Sequence, residues 1–191
     1  MSFVFVVSGP SGSGKSTLVR EALKGRYAGK RLVRSVSATT RPKRPGEISG
    51  THYFFLTEDD FKKRVRAKKI LEWTRYSGYY YGTPLDFIER QIRNHKNLVL
   101  CLDRKGARAL KRLYPRQAVT VFILPPSIKE LKRRIDARRC KTAPEEIKRR
   151  LRLASKEAAC AKDYDHRIAN INLAQALKQF KGIISRSLFN Q

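Results

Sequence analysis

The sequence predicts an α/β fold in which helices cover both faces of a mainly parallel sheet. Three observations support this prediction. Short apolar runs at residues 3–7, 98–102 and 118–124, with a further candidate strand at 166–169, have the length of buried strands. Helical segments separate these runs, and a glycine-rich loop joins the first run to the first helix. Buried strands that alternate with helices are typical of parallel sheets.

The glycine-rich loop covers residues 9–17 and fits the pattern G-x-x-x-x-G-K-[ST] at every fixed position. Its glycines let the backbone turn tightly and point successive N–H groups at one anion. Lys15 can reach the β- and γ-phosphates of a nucleotide, the Ser16 hydroxyl can ligate Mg²⁺, and the helix that follows offers its positive end. The predicted nucleoside triphosphate site comprises Gly9, Ser11, Gly12, Ser13, Gly14, Lys15, Ser16 and Thr17.

Residues 35–82 differ from the rest of the chain and are predicted to form a small, mostly β insert. A proline- and arginine-rich loop follows its first strand, and Ser77-Gly78 turns between two further strands. Elsewhere, helices are predicted over residues 17–24, 61–69, 83–94, 105–113 and 173–187. Two more helices, expected to reach about Arg139 and Ala161, begin at the capping patterns Ser127-x-x-Glu130 and Thr142-x-x-Glu145, with a basic loop between them.

The chain is strongly basic, with 43 Lys and Arg against 16 Asp and Glu and a net charge of +27. Such a field attracts polyanions non-specifically, although a solvated basic surface would carry the same charge. At 191 residues the chain fits one compact domain, and no apolar run approaches the length of a membrane span. The scattered cysteines Cys101, Cys140 and Cys160, without a visible secretory signal, favour reduced thiols and a cytoplasmic location.

Polar side chains in the insert form a suitable set for a nucleoside monophosphate. Arginine pairs bind a phosphate bidentately, and tyrosine hydroxyls donate to it without adding charge. Glu72 can accept from the N1–H and the exocyclic amine of guanine, whereas adenine offers no such pair, and Ser37 and Thr83 could donate to the guanine O6. Singly, the arginines also fit a solvated loop and the tyrosines a packed strand. The set is Ser37, Arg41, Arg44, Tyr53, Glu72, Tyr81 and Thr83.

These segments together resemble the guanylate kinase family over nearly the whole chain. The residues that carry the resemblance are 8–17, 35–41 with Arg44, Gly46-Glu47, Gly50, Tyr53-Phe54-Phe55, Leu71-Glu72-Trp73, 77–83, and Pro125-Pro126-Ser127 with Leu131 and Arg134. The first segment is common to many kinases, whereas the second and the Tyr-Tyr-Gly segment are specific to this family.

The resemblance implies the reversible, Mg²⁺-dependent reaction ATP + GMP ⇌ ADP + GDP. It also implies three parts that close over both nucleotides. These are a P-loop core at 1–34, 83–126 and 162–191, a GMP-binding insert at 35–82, and a lid region at 127–161.

By the same resemblance, each candidate residue receives a role. The guanine base would contact Ser37, Thr83, Glu72 and Asp103. The GMP phosphate would contact Arg41, Arg44, Tyr53 and Tyr81. The residues expected to act on the transferring phosphoryl group are Lys15, Arg41, Arg134, Arg138 and Arg150, with Ser16 on Mg²⁺.

One departure from the family concerns the metal. The family usually has an acidic residue two positions before Asp103, and this chain has Cys101, so Asp103 is expected to support Mg²⁺ alone. Residues 170–172 also lack the acidic residues that are common there.

Two other functions stay open from the sequence. One is a kinase of the same core with another phosphorylated acceptor. The other is a guanylate-kinase-like domain that binds proteins without catalysis, against which the intact Gly14-Lys15-Ser16 argues. The sequence does not indicate an oligomeric state.

Overall fold

The structure is a computed structural model that describes residues 1–27, 30–136 and 144–189. Along the chain, its elements are β1 (Val4–Ser8), α1 (Lys15–Ala22), β2 (Arg26–Tyr27), β3 (Lys30–Arg34), β4 (Ala38–Thr39), β5 (Phe54–Phe55), α2 (Glu58–Arg66), β6 (Ile70–Tyr76), β7 (Tyr79–Pro84), α3 (Leu85–Arg93), β8 (Asn97–Cys101), α4 (Arg104–Leu113), β9 (Ala118–Leu124), α5 (Ile128–Asp136), α6 (Pro144–Ala159), a 3₁₀ turn (Cys160–Asp163), β10 (His166–Ala169) and α7 (Leu173–Phe189).

A six-stranded sheet forms the core, in the order β10-β9-β1-β8-β3-β2. The pairs β10–β9, β9–β1, β1–β8 and β8–β3 are parallel, and only β2 runs antiparallel, to β3. All five residues of β1 are buried, as expected for a central strand covered on both faces. The predicted parallel α/β core is therefore confirmed.

Side chains of β1 alternate between two apolar clusters, one on each face of the sheet. Phe5 and Val7 pack in the cluster that contains the buried residues of α1 and α7. Val4 and Val6 pack in the cluster that contains those of α3 and α4. Because successive residues of a strand point to opposite faces, this strand, which is apolar except for Ser8, packs against both helical layers.

The predicted β insert contains a second, mixed sheet in the order β5-β4-β7-β6. Its hairpin turns at Ser77 and Gly78, which both have positive φ. Helix α2 covers one side, where Phe61 packs with Ala38 and Ile70. The Thr57 side chain caps this helix by accepting from the Asp60 N–H, so the helix begins at Glu58 rather than at Phe61.

The sequence analysis was also wrong at other boundaries. Of strand β3, the sequence predicted only the last residue, Arg34. The rest was missed because only two of its five residues are apolar. In the structure this strand pairs with β8. Pro84 ends β7 and precedes α3 instead of opening it, since its ψ of 120° is extended. Helix α6 ends at Ala159, where a 3₁₀ turn follows. Residues 137–143, which include the capping residue Thr142, lie outside the described residues.

Every helix in the described part of the chain is too short or too polar to span a membrane.

Candidate active site

The glycine-rich loop leaves the carboxyl end of β1 and enters α1 at Lys15. Its glycines Gly9, Gly12 and Gly14 have backbone φ values of 141°, 88° and 93°, which residues other than glycine rarely adopt. The Ser13 N–H donates to the Pro10 carbonyl at 3.1 Å and closes the turn. The loop therefore has the backbone conformation that its glycines predict, directly before the positive end of a helix.

The Lys15 side chain folds back onto the first residues of this loop. Its Nζ donates to the carbonyl oxygens of Gly9 and Pro10, the latter at 2.9 Å. Ser16 follows in the first turn of α1, and its side chain is exposed. An ammonium group and a hydroxyl thus lie beside the glycine-rich loop, and their binding of phosphate and Mg²⁺ stays a prediction.

Asn170, which the sequence analysis did not propose as a site residue, connects the loop to the end of β10. Its buried Nδ2 donates to the Ser13 carbonyl at 2.8 Å, and its backbone N–H donates to the Leu124 carbonyl. A Cβ on Gly14 would lie 2.2 Å from Nδ2, so the glycine also makes room for this amide. No local pattern could have revealed the contact, because 157 positions separate Asn170 from Ser13.

Glu72 and Thr83 form the centre of the predicted guanine pocket. The buried Thr83 hydroxyl donates to Glu72 Oε1 at 2.6 Å. Burial raises the pKa of Glu72, the Thr83 hydrogen bond opposes that shift, and the charge of Asp103 adds to it. A hydroxyl has one proton, so while Thr83 donates to Glu72 it cannot also donate to a guanine O6.

Asp103 and Ser37 lie next to this pair. Asp103 follows β8 and caps α4, with Oδ1 accepting from the Gly106 N–H at 2.8 Å. Ser37 and Thr83 line one small cleft, of about 50 Å³. The structure thus brings the four predicted guanine contacts together where the insert meets the core.

Arg41 is the centre of the predicted phosphate site, and it is held by Glu47. Its guanidinium makes two parallel hydrogen bonds to the Glu47 carboxylate, of 2.7 and 2.9 Å. Arg44 contributes its backbone N–H to the same carboxylate at 2.8 Å. These bonds, led by the one from Arg41, lower the pKa of Glu47 to about 2. Glu47 was part of the resemblance but received no role from the sequence.

Two tyrosines complete this group. The Arg41 guanidinium lies 5.4 Å from the centre of the Tyr53 ring, and the Tyr53 and Tyr81 rings meet edge to face at 6.1 Å. Arg41, Tyr53 and Tyr81 are therefore neighbours, as predicted. Arg44 is linked to Arg41 because its backbone N–H donates to the same Glu47 carboxylate, and its own side chain is exposed to solvent.

A cavity of about 740 Å³ extends from the loop to Asp103, and it shares Cys101 and Leu102 with the small cleft that Ser37 and Thr83 line. It opens at the carboxyl edge of the parallel strands, where ligands bind in sheets of this type. Its wall includes Lys15, Cys101, Asp103, Arg108, Glu157 and Tyr164. Cys101 and Glu157 are both exposed to solvent at the cavity wall, yet the surrounding protein partly desolvates them, which raises the pKa of each, and the positive charge of Lys15 opposes the two shifts.

Oxygen atoms in and beside this cavity are of the kind that Mg²⁺ takes as ligands, but they are too few to form a complete coordination shell. Among the residues that the structure describes, no group of three or more His, Cys, Asp or Glu side chains could hold a metal. Mg²⁺ commonly keeps its waters and takes phosphate oxygens as ligands, so few protein ligands suffice. Asp103 and Glu157 supply carboxylates, and Ser16 supplies a hydroxyl at the start of α1.

The predicted lid arginines are not tested by the geometry. Arg138 lies outside the described residues, and so do the side chains of Arg134 and Arg150, although both residues belong to helices.

The fold and the loop together define a P-loop protein of the α/β kinase class. The guanylate kinase family model matches residues 2–187. Guanylate kinases of Symbiobacterium thermophilum and Thermosynechococcus vestitus are each 42% identical to the chain, over 95% and 91% of its length and 83% and 88% of theirs. The chain belongs to the guanylate kinase family.

Solved structures agree with this assignment. The crystal structure of guanylate kinase from Anaplasma phagocytophilum superposes with a TM-score of 0.73 at 26% identity, covering 98% of this chain and 87% of that one. A sugar kinase from a Janibacter species, at 14% identity and a TM-score of 0.53, shares the fold alone.

Proposed function

We propose that this protein transfers the γ-phosphoryl group of ATP to GMP, reversibly and with Mg²⁺, to give ADP and GDP. One observation carries the proposal. Asp103 lines the same cavity as Lys15, and Gly106, which donates to Asp103, lies against Glu72, so the predicted triphosphate loop and the predicted guanine pocket adjoin. A kinase needs this adjacency, because the two phosphate groups must meet in line.

The pocket at Glu72 would select the acceptor. An ionised Glu72, oriented by Thr83, would accept from N1–H and from the exocyclic amine of guanine, with Asp103 on the same edge. Ser37 would donate to O6. Adenine has no N1–H, and its amine occupies the position of O6, so it would leave these groups without partners.

Arg41, Arg44, Tyr53 and Tyr81 would bind the GMP phosphate. The Arg41 guanidinium is already held by Glu47 and lies over an aromatic ring, so little of its side-chain freedom remains to be lost on binding. The acceptor is itself a phosphate oxygen and a competent nucleophile, so the mechanism requires no general base from the protein.

Lys15 and the loop N–H groups would bind the triphosphate, with Ser16 and the nearby carboxylates holding Mg²⁺. When bound, Mg²⁺ neutralises and orients the β- and γ-phosphate oxygens. Arg134, Arg138 and Arg150 of the lid region would stabilise charge on the transferring group, and closure of the lid would exclude water and suppress ATP hydrolysis.

A coupled assay tests this function. ATP and Mg²⁺ are supplied with GMP, AMP, IMP or a ribose bisphosphate in turn, and ADP formation is measured. We expect strong preference for GMP. An equal or better rate with a sugar phosphate would favour the related-kinase alternative, and a folded protein that forms no GDP would favour the binding domain without catalysis.

Two further points stay predictions. Non-specific contact with polyanions rests on the charge of +27, and RNA binding measured across salt concentrations would test it. A cytoplasmic location is the other, and it rests on sequence features of the cysteines and the first residues.

A further inference from the structure

Gly106 lies in the first turn of α4, beside both carboxylates of the guanine pocket. Its φ is outside the left-handed region, so the backbone does not require glycine there. Glycine is also the poorest helix former after proline. A glycine that neither the turn nor the helix favours needs another physical reason.

The surroundings of Gly106 supply that reason. A Cβ at this position would lie 2.9 Å from Glu72 Cγ, which is closer than Cβ atoms approach non-bonded atoms in real proteins. Glu72 cannot simply move aside, because Thr83 holds its Oε1 at 2.6 Å. Contacts to Leu102 Cβ and Cδ1 would be 3.2 and 3.3 Å, so Leu102 would also have to move, although only by a few tenths of an ångström. The main obstacle is therefore the middle of the Glu72 side chain.

The backbone of Gly106 has a second contact with the pocket. Its N–H donates to Asp103 Oδ1 at 2.8 Å. One residue therefore adjoins both carboxylates, Asp103 through a hydrogen bond and Glu72 through the space left by the missing side chain.

We propose that Gly106 is a specificity-determining positioning residue that sets where Glu72 meets the guanine edge. This inference rests on the proposed function. An added methyl group displaces the Glu72 stem and moves its carboxylate away from the exocyclic amine. IMP has the O6 and N1–H of guanine but lacks that amine, so the preference for GMP over IMP reports the position of Glu72.

The test compares Gly106→Ala with Gly182→Ala, a matched change within α7. At Gly182 the nearest atom to an added Cβ is the flexible end of Arg186, at 3.4 Å. We expect Gly106→Ala to raise the KM for GMP and to reduce the GMP-over-IMP ratio of kcat/KM roughly tenfold, as for a lost hydrogen bond to a charged group. The KM for ATP should stay near the wild-type value. Gly182→Ala should leave both the KM for GMP and the GMP-over-IMP ratio unchanged.

A second measurement covers the case in which Gly106→Ala folds poorly. In a Glu72→Ala background the obstructing Cγ is gone, so adding Gly106→Ala should leave the melting temperature unchanged or raise it. A fall equal to that in the wild-type background would overturn the proposal. So would an unchanged GMP-over-IMP ratio in a folded Gly106→Ala protein that phosphorylates GMP. If the wild-type protein does not phosphorylate GMP, the proposed function itself fails.

Discussion

At the scale of single residues, the hydrogen bond from Thr83 to Glu72 changes the role expected for Thr83. The sequence predicts that Thr83 donates to the base, yet in the structure its proton goes to the Glu72 carboxylate. Ser37 then remains as the hydroxyl available to the guanine O6. The chemistry of the side chains in the insert identified Ser37, Glu72 and Thr83, and the family resemblance added Asp103. The sequence could not show which acceptor each hydroxyl group donates to, because that depends on side-chain packing across the β6–β7 hairpin.

Thr83→Val should therefore weaken GMP binding by releasing Glu72. Valine keeps the shape but has no proton to donate, and the pKa of Glu72 should rise further because the bond that opposes its rise is lost. We expect the KM for GMP to increase about tenfold or more, the order for a bond to a charged group. Steady-state kinetics with Thr83→Ser as the control check this, since serine should keep most of the affinity. Equal losses in both variants would contradict it.

Glu47 should make stability depend on acid pH. Its pKa in the folded protein is about 2, against 4.5 ordinarily, so the folded state binds its proton less readily than the unfolded chain. The stabilisation is fully present above the ordinary value and is lost as pH falls toward about 2. Urea unfolding across this range should show a steeper loss for the wild type than for Glu47→Gln. Parallel curves would contradict the role of the Arg41–Glu47 pair.

At the scale of elements, the glycine-rich loop is held from outside by the end of β10. Asn170 bonds to the Ser13 carbonyl and fills the space beside Gly14, so the loop is fixed by an element distant in sequence. Strands β9 and β10 have the bounds that the sequence predicts, since both are short runs with clear stops. Strand β3 could not be predicted, because charged residues flank its two apolar positions.

Asn170→Ala should impair ATP binding more than GMP binding. The change leaves the Ser13 carbonyl without its amide donor, at a cost of about 1–3 kcal/mol for a buried polar group. Asn97→Ala is the matched control, because Asn97 is equally buried and accepts from the Phe3 N–H at the opposite end of the sheet. Calorimetric titrations with both nucleotides check this. Similar ATP affinity in the two variants would contradict the role of Asn170.

At the scale of the whole molecule, two sheets meet so that the two predicted ligand sites adjoin. The sequence predicts a parallel core and a β insert, and both are present. It does not predict that β8 lies between β1 and β3, because strand order depends on how crossover connections pack. That order brings Asp103, at the end of β8, beside both the loop and Glu72.

The most direct test of the account is the affinity of a bisubstrate compound in which adenosine and guanosine are joined by a polyphosphate chain. Two adjoining sites should bind it more than about tenfold more tightly than either ATP or GMP, and it should displace both nucleotides. The corresponding compound with two adenosines should bind more weakly, since its second base has no N1–H for Glu72. A compound that displaces ATP yet leaves GMP bound would contradict the claim that the two sites meet end to end.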